Sequence, residues 1–215
     1  MGMACNYWEL PATVLGMVAP PVTNPPSNVR VVDDEIAGRP RPEDLVRRSV
    51  PLTPELTAEL DGAVEVAGAA VEELLLAALG RAIARTIGVG VVTVSGLTTV
   101  APIRLCCATD RELDADGLLA DVRRALTVPA ATAPGPAEVV FSFLGMPPDS
   151  SLRPLQVIDG PALGVLAYRS GCVMQMDWWY DSRRLDLCTV EELAAQFRLG
   201  LIGLTSEASP AEGAA

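Results

Sequence analysis

The stretch MDWWYDSRRLDLCTVEELAAQF, Met176 to Phe197, sets the reading of the whole chain. Its first part alternates: in an extended backbone Met174, Met176, Trp178 and Tyr180 fall on one side, and Val173, Gln175, Asp177 and Trp179 on the other. Large aromatics dominate cores and interfaces alike, so this pattern predicts a strand with one face in a core and the other at an edge or partner surface. The polar run from Asp181 to Asp186 then turns the chain. Thr189, with Glu192 three residues on, is the start signal of a closing helix expected to reach about Leu204.

Working upstream, Leu152 to Ile158, Leu163 to Tyr168 and Glu138 to Leu144 read as further strands. Asp114 to Leu126 is amphipathic, with Leu118, Leu119, Val122 and Leu126 toward a core. The strongest helical period is Ala69 to Ile87, where Val71, Leu75, Leu79, Ala82, Ile83 and Ile87 recur at three- and four-residue steps. Gly88 and Gly90 stop that helix, and the β-branched run Val91 to Ser95 follows as a buried strand. Val100 to Cys107 reads as another strand, in which Pro102 forces an edge, a bulge or a start. Thr53 before Pro54 predicts a capped helix running to about Asp61 or Val66. Residues 1–50 are rich in proline, Pro20, Pro21, Pro25, Pro26, Pro40 and Pro42 among them, and show no sustained apolar period. They read as a connector with a short ordered piece near Tyr7, Trp8 and Leu10. Residues 51–205 form the folded unit, and the tail at 206–215 is expected to be disordered. Helices and strands in this order favour an α/β (α+β) layered sandwich, a mixed sheet flanked by helices. Neither GxGxxG nor GxxxxGK[ST] occurs in the context that dinucleotide or P-loop binding needs.

Composition narrows the function. Sixteen basic against twenty-seven acidic residues give a net charge of −11, which repels nucleic acid and anionic bilayers. Apolar runs are too short or too charged to span about 30 Å of hydrocarbon, and the N-terminus lacks a leader pattern, so a cytoplasmic location is expected. The cysteines, Cys5, Cys106, Cys107, Cys172 and Cys188, lack CxxC spacing. Adjacent Cys106 and Cys107 point to opposite faces of a strand, so no metal site is expected. The acidic set Asp110, Glu112, Asp114 and Asp116 also lacks the spacing of a calcium loop. There is no histidine, which removes the commonest general base and the Ser-His and Cys-His arrangements together.

Three segments in sequence order carry a family resemblance: VEELLLAALGRAIARTIG at Val71 to Gly88, VVFSFLG at Val139 to Gly145, and the opening stretch itself. Together they resemble the C-terminal subdomain of nonribosomal peptide synthetase condensation and epimerisation domains, within the chloramphenicol-acetyltransferase-like, CoA-dependent acyltransferase superfamily. GRPRP at Gly38 to Pro42 and PLTPELTAEL at Pro51 to Leu60 extend the likeness, which covers roughly residues 38–205. The wax-ester-synthase branch shares the same terminal architecture. The family's tandem-histidine motif, HHxxxDG, belongs to its N-terminal subdomain and has no counterpart here. Ser142 and Phe143 stand where the family often has asparagine and tyrosine, and VSGLTTVAP at Val94 to Pro102 is shorter than the usual loop.

The resemblance implies half of a chloramphenicol-acetyltransferase-like fold, related to nonribosomal peptide synthesis and not catalytic alone. Such a protein would bind a carrier protein, a synthetase module or a complementary half-domain, with room for a homodimer. It needs no cofactor of its own, although phosphopantetheine carried by a partner would fit the family. The alternative is an active acyltransferase, of peptide-bond, epimerase-like or wax-ester-synthase-like type, using a non-histidine base. No catalytic residue is assigned. Candidate contacts are Asp177, Trp179 and Tyr180 as an aromatic wall or partner patch, against plain core packing. Arg183 and Arg184 are candidates for phosphate or an acidic partner, against a solvated loop. Ser142 is the remaining candidate, and no histidine or nearby lysine is there to activate it.

Overall fold

The computed structural model describes residues 28–96, 101–127, 135–148 and 160–208. Cys5, the expected ordered piece near Tyr7, the strand at 152–158 and the tail from 209 lie outside them. The described elements are strands β1 (Leu45–Ser49), β2 (Gly90–Ser95), β3 (Ile103–Cys107), β4 (Val139–Phe143), β5 (Leu163–Ser170) and β6 (Val173–Asp181), with helices α1 (Pro54–Ala67), α2 (Val71–Thr86), α3 (Ala115–Thr127) and α4 (Leu187–Ser206). One six-stranded sheet runs in the order β1-β6-β5-β4-β2-β3. Its centre, β2-β4-β5, is parallel, and its flanking pairs β5-β6, β1-β6 and β2-β3 are antiparallel. This is the mixed α/β sandwich expected from the sequence.

The period-two pattern decides which face carries the core. Val92, Val94, Leu105, Cys107, Val139, Phe141, Leu163, Val165, Ala167, Met174, Met176, Trp178 and Tyr180 are all buried and share one cluster with the apolar residues of the helices. Trp178 meets Phe197 of α4 edge to face, with ring centroids 5.8 Å apart and planes at 83°. The strand and helix of the opening stretch are therefore joined by the geometry that aromatic quadrupoles favour. In α1, the Thr53 hydroxyl accepts from the Leu56 amide at 3.2 Å, and Gly68 closes the helix at φ 55°, as αL caps require. Pro102 lies just before β3, which resolves the earlier choice in favour of a strand start at the sheet edge.

Close packing between α2, β3 and α4 rests on glycine and one buried arginine. A Cβ on Gly80 would lie 2.4 Å from the Cys106 carbonyl oxygen, so only glycine lets α2 approach β3 this closely. Opposite it, Arg81 is fully buried, with Gly200 of α4 against its Cβ and Gly203 beside its guanidinium. Asp110, which follows β3, forms an ion pair with both Arg81 and Arg85. Burial lowers the proton affinity of Arg81, and the charges of Glu207 and Asp114 oppose that effect.

Two parts of the expected picture change. The stretch predicted as a connector up to residue 50 contains β1, and Val29 and Val31 are core residues. This segment straps the end of the sheet: the Val29 amide donates to Val91 O at 2.8 Å, and the Asp33 amide donates to Arg184 O at 2.8 Å. Pro42 opens a short 3-10 turn, Pro42–Asp44, that leads into β1. The closing helix also begins at Leu187 rather than Thr189. Asp33 supplies the carboxylate there, accepting from the Asp186 amide at 2.8 Å and the Thr189 hydroxyl at 3.1 Å. Asp186, not Thr189, is thus the N-cap residue, and Asp33, 156 positions from Thr189, ties down both the Asp186 amide and the Thr189 hydroxyl.

Candidate functional site

The face of the sheet away from the core carries the polar constellation. In β6 the alternate set places Asp177 and Trp179 there, and the register puts Ser49 of β1 beside Asp177 and Arg47 beside Trp179. On the other side of β6, Leu166 of β5 faces Asp177, and Tyr168 lies two residues further on. Asp177 is 2% exposed. Its Oδ2 accepts from Arg47 Nη2 at 2.6 Å and from the Tyr168 hydroxyl at 3.1 Å, while its Oδ1 accepts from the Ser49 hydroxyl at 2.6 Å. The Arg47 guanidinium also lies 5.5 Å from the Trp179 ring centroid, a cation–π distance.

This arrangement holds a carboxylate; it does not present a base. One charge-assisted bond and two hydroxyl donors occupy both oxygens of Asp177, so neither is turned toward an incoming substrate. Burial raises the proton affinity of the Tyr168 phenol, and the adjacent Asp177 charge raises it further, so Tyr168 stays a neutral donor near pH 7. The sixteen basic residues are all arginine, which leaves no imidazole and no side-chain amine anywhere in the sequence. Among the described residues no group of three or more metal-ligating side chains occurs, and no helix is long and apolar enough to cross a membrane.

The structure separates the other sequence candidates. Tyr180 lies on the core face at 3% exposure, where burial raises its phenol's proton affinity, and it takes no part in the Asp177 group. Ser142 shares the face of Asp177 but sits in β4, paired with Leu166, so β5 intervenes. Two strand spacings put its Cα about 10 Å from that of Asp177. Trp179 is half-buried, and its indole Nε1 is enclosed without an acceptor among the described residues.

The turn after β6 is braced from within. Arg183 grips buried Asp181 with two bonds, Nε to Oδ1 at 2.9 Å and Nη2 to Oδ2 at 2.8 Å, and reaches Gly38 O at 3.3 Å. Burial alone would raise the Asp181 carboxyl, yet the Arg183 bonds outweigh it and hold the group below the usual carboxylate range. Arg184 Nη1 donates to Gly160 O at 3.1 Å. Both arginines of the expected anion-binding loop thus spend hydrogen bonds on the protein itself. Arg47, Ser49 and Tyr168 were not among the sequence candidates; the only local signal was Arg47 inside a short arginine cluster.

No family model matches the chain. The solved structures it resembles define its fold. The epimerization domain from the third module of tyrocidine synthetase B superposes with a TM-score of 0.63 at 17% identity, covering 87% of this chain and 53% of that one. The nonribosomal peptide synthetase cyclization-docking bidomain of Sorangium cellulosum gives 0.61 at 11%, covering 86% and 46%. The wax ester synthase/diacylglycerol acyltransferase of Marinobacter aquaeolei gives 0.53 at 14%, covering 76% and 48%. The chain therefore has the fold of about half a condensation or epimerisation domain, in agreement with the C-terminal subdomain inferred from its motifs.

In sequence the chain is similar to part of a polyketide synthase. It is 31% identical over 225 residues to one component of the phenolphthiocerol/phthiocerol polyketide synthase of Mycobacterium tuberculosis strain H37Rv, and equally to its counterpart in Mycobacterium bovis. The match covers 80% of this chain and 15% of the length of that much larger polypeptide. This chain thus has a condensation-domain-like fold and is similar in sequence to a segment of a polyketide synthase.

Proposed function

We propose that this chain is a non-catalytic binding module in polyketide or nonribosomal peptide assembly, one that docks a carrier protein, a synthetase module or a complementary half-domain. The observation that carries this reading is the engagement of Asp177: the buried carboxylate midway along the far face of β6 is already held by Arg47, Ser49 and Tyr168. With no imidazole in the sequence, acyl transfer would have to proceed without the group that most often serves as general base. Trp179, with its enclosed indole N–H and its ring under Arg47, is the contact residue this reading favours on that face. Any phosphopantetheine would arrive on the partner.

The test pairs turnover with binding. Incubation with acyl-CoA or an acylated carrier protein and an amine or alcohol acceptor is expected to give no product above the rate without protein. Titration with a phosphopantetheinylated carrier protein, or with a separately expressed N-terminal condensation subdomain, is expected to change Trp179 emission, with the change lost in Trp179→Phe. Product formation abolished by Asp177→Asn or Tyr168→Phe would overturn the reading in favour of an active transferase. A strictly monomeric protein by light scattering that binds neither partner would overturn docking.

A further inference from the structure

No further inference is drawn: the strongest candidate, the outer edge of β1, unpaired among the described residues, with Arg47 and Arg48 exposed along it and Arg41 ahead of it, has those arginines paired with Asp177, Glu191 and Glu43, and nothing in the structure shows what covers it.

Discussion

Asp177 and Arg81 are both withdrawn from water, one on the far face of the sheet and the other between α2 and α4, and their partners are arranged in opposite senses. The buried anion is tied to a cation that remains 45% exposed, whereas the fully buried cation is tied to an anion that remains 47% exposed. Asp177 also has two hydroxyl donors in good geometry. The guanidinium of Arg81 has the ion contact to Asp110 but, among the described residues, no hydrogen-bond acceptor at any of its three nitrogens. The first arrangement satisfies its charge bond by bond through strand register. The second relies on the Asp110 ion contact, on the more distant charges of Asp114 and Glu207, and on the glycines that make room for the side chain. Loss of a single partner should therefore harm Arg81 more than Asp177.

The largest expected effect follows directly. Asp110→Ala leaves a cation in an enclosed helix interface and should cost about 3 kcal/mol in urea unfolding, the lower end of the range for a broken buried pair because Asp114 and Glu207 still act on Arg81. Arg81→Met, which removes the charge along with the need for a partner, should cost clearly less. If the two variants lost equal stability, packing alone would explain the site. Next comes Asp177→Ala, for which a loss of about 2 kcal/mol is expected, since Arg47 can turn to water while Ser49 and Tyr168 lose their acceptor. Hydrogen exchange should show it as faster exchange of the β1 amides; unchanged protection there would mean that the ladder holds β1 without the carboxylate.

Tyr168→Phe removes one of three donors and should cost about 1 kcal/mol, with no change in the register of β1. In the unaltered protein, ultraviolet titration should find this phenol ionising above the usual tyrosine range, and a normal titration would contradict its place beside Asp177. The smallest effect concerns pH. Asp181 has its folded proton affinity held below the unfolded value of about 3.9. The unfolded chain then binds more protons through that window, so stability is fully present above about pH 4 and is lost as pH falls through the folded pKa. Denaturation midpoints at pH 7, 4 and 2.5 should reveal that slope, and Asp181→Asn should flatten it.

Much of the architecture was readable because its signals are local. The three- and four-residue steps of α2, the alternation from Met174 to Tyr180, the Thr53 cap and the strand start after Pro102 each lie within one element. The core face was legible for the same reason. What escaped depends on distant partners. The β1 sequence LVRRS puts adjacent arginines on opposite faces, Arg48 toward Glu191 of α4 and Arg47 toward Asp177, so no apolar alternation marks it as a strand. The start of α4 was misplaced because its acceptor, Asp33, belongs to the strap. The Asp177 group shows the same limit: the acid itself was visible, and its arginine, serine and tyrosine became its partners only through sheet pairing.

The seating of β1 against β6 has a consequence for synthesis. Arg47 and Asp177 are 130 residues apart, so β1 leaves the ribosome on the order of ten seconds before the strand it must join, at roughly 5 to 20 residues per second. During that interval the nascent chain carries an unmatched edge segment and a strap that can reach Val91 of β2 but not yet Arg184. Helix α2 and the β2–β3 pair can form early, while closure of the sheet waits until β6 has been made. Completion of this fold is accordingly a late, long-loop event, and the growing polypeptide is most exposed to misassociation just before β6 emerges.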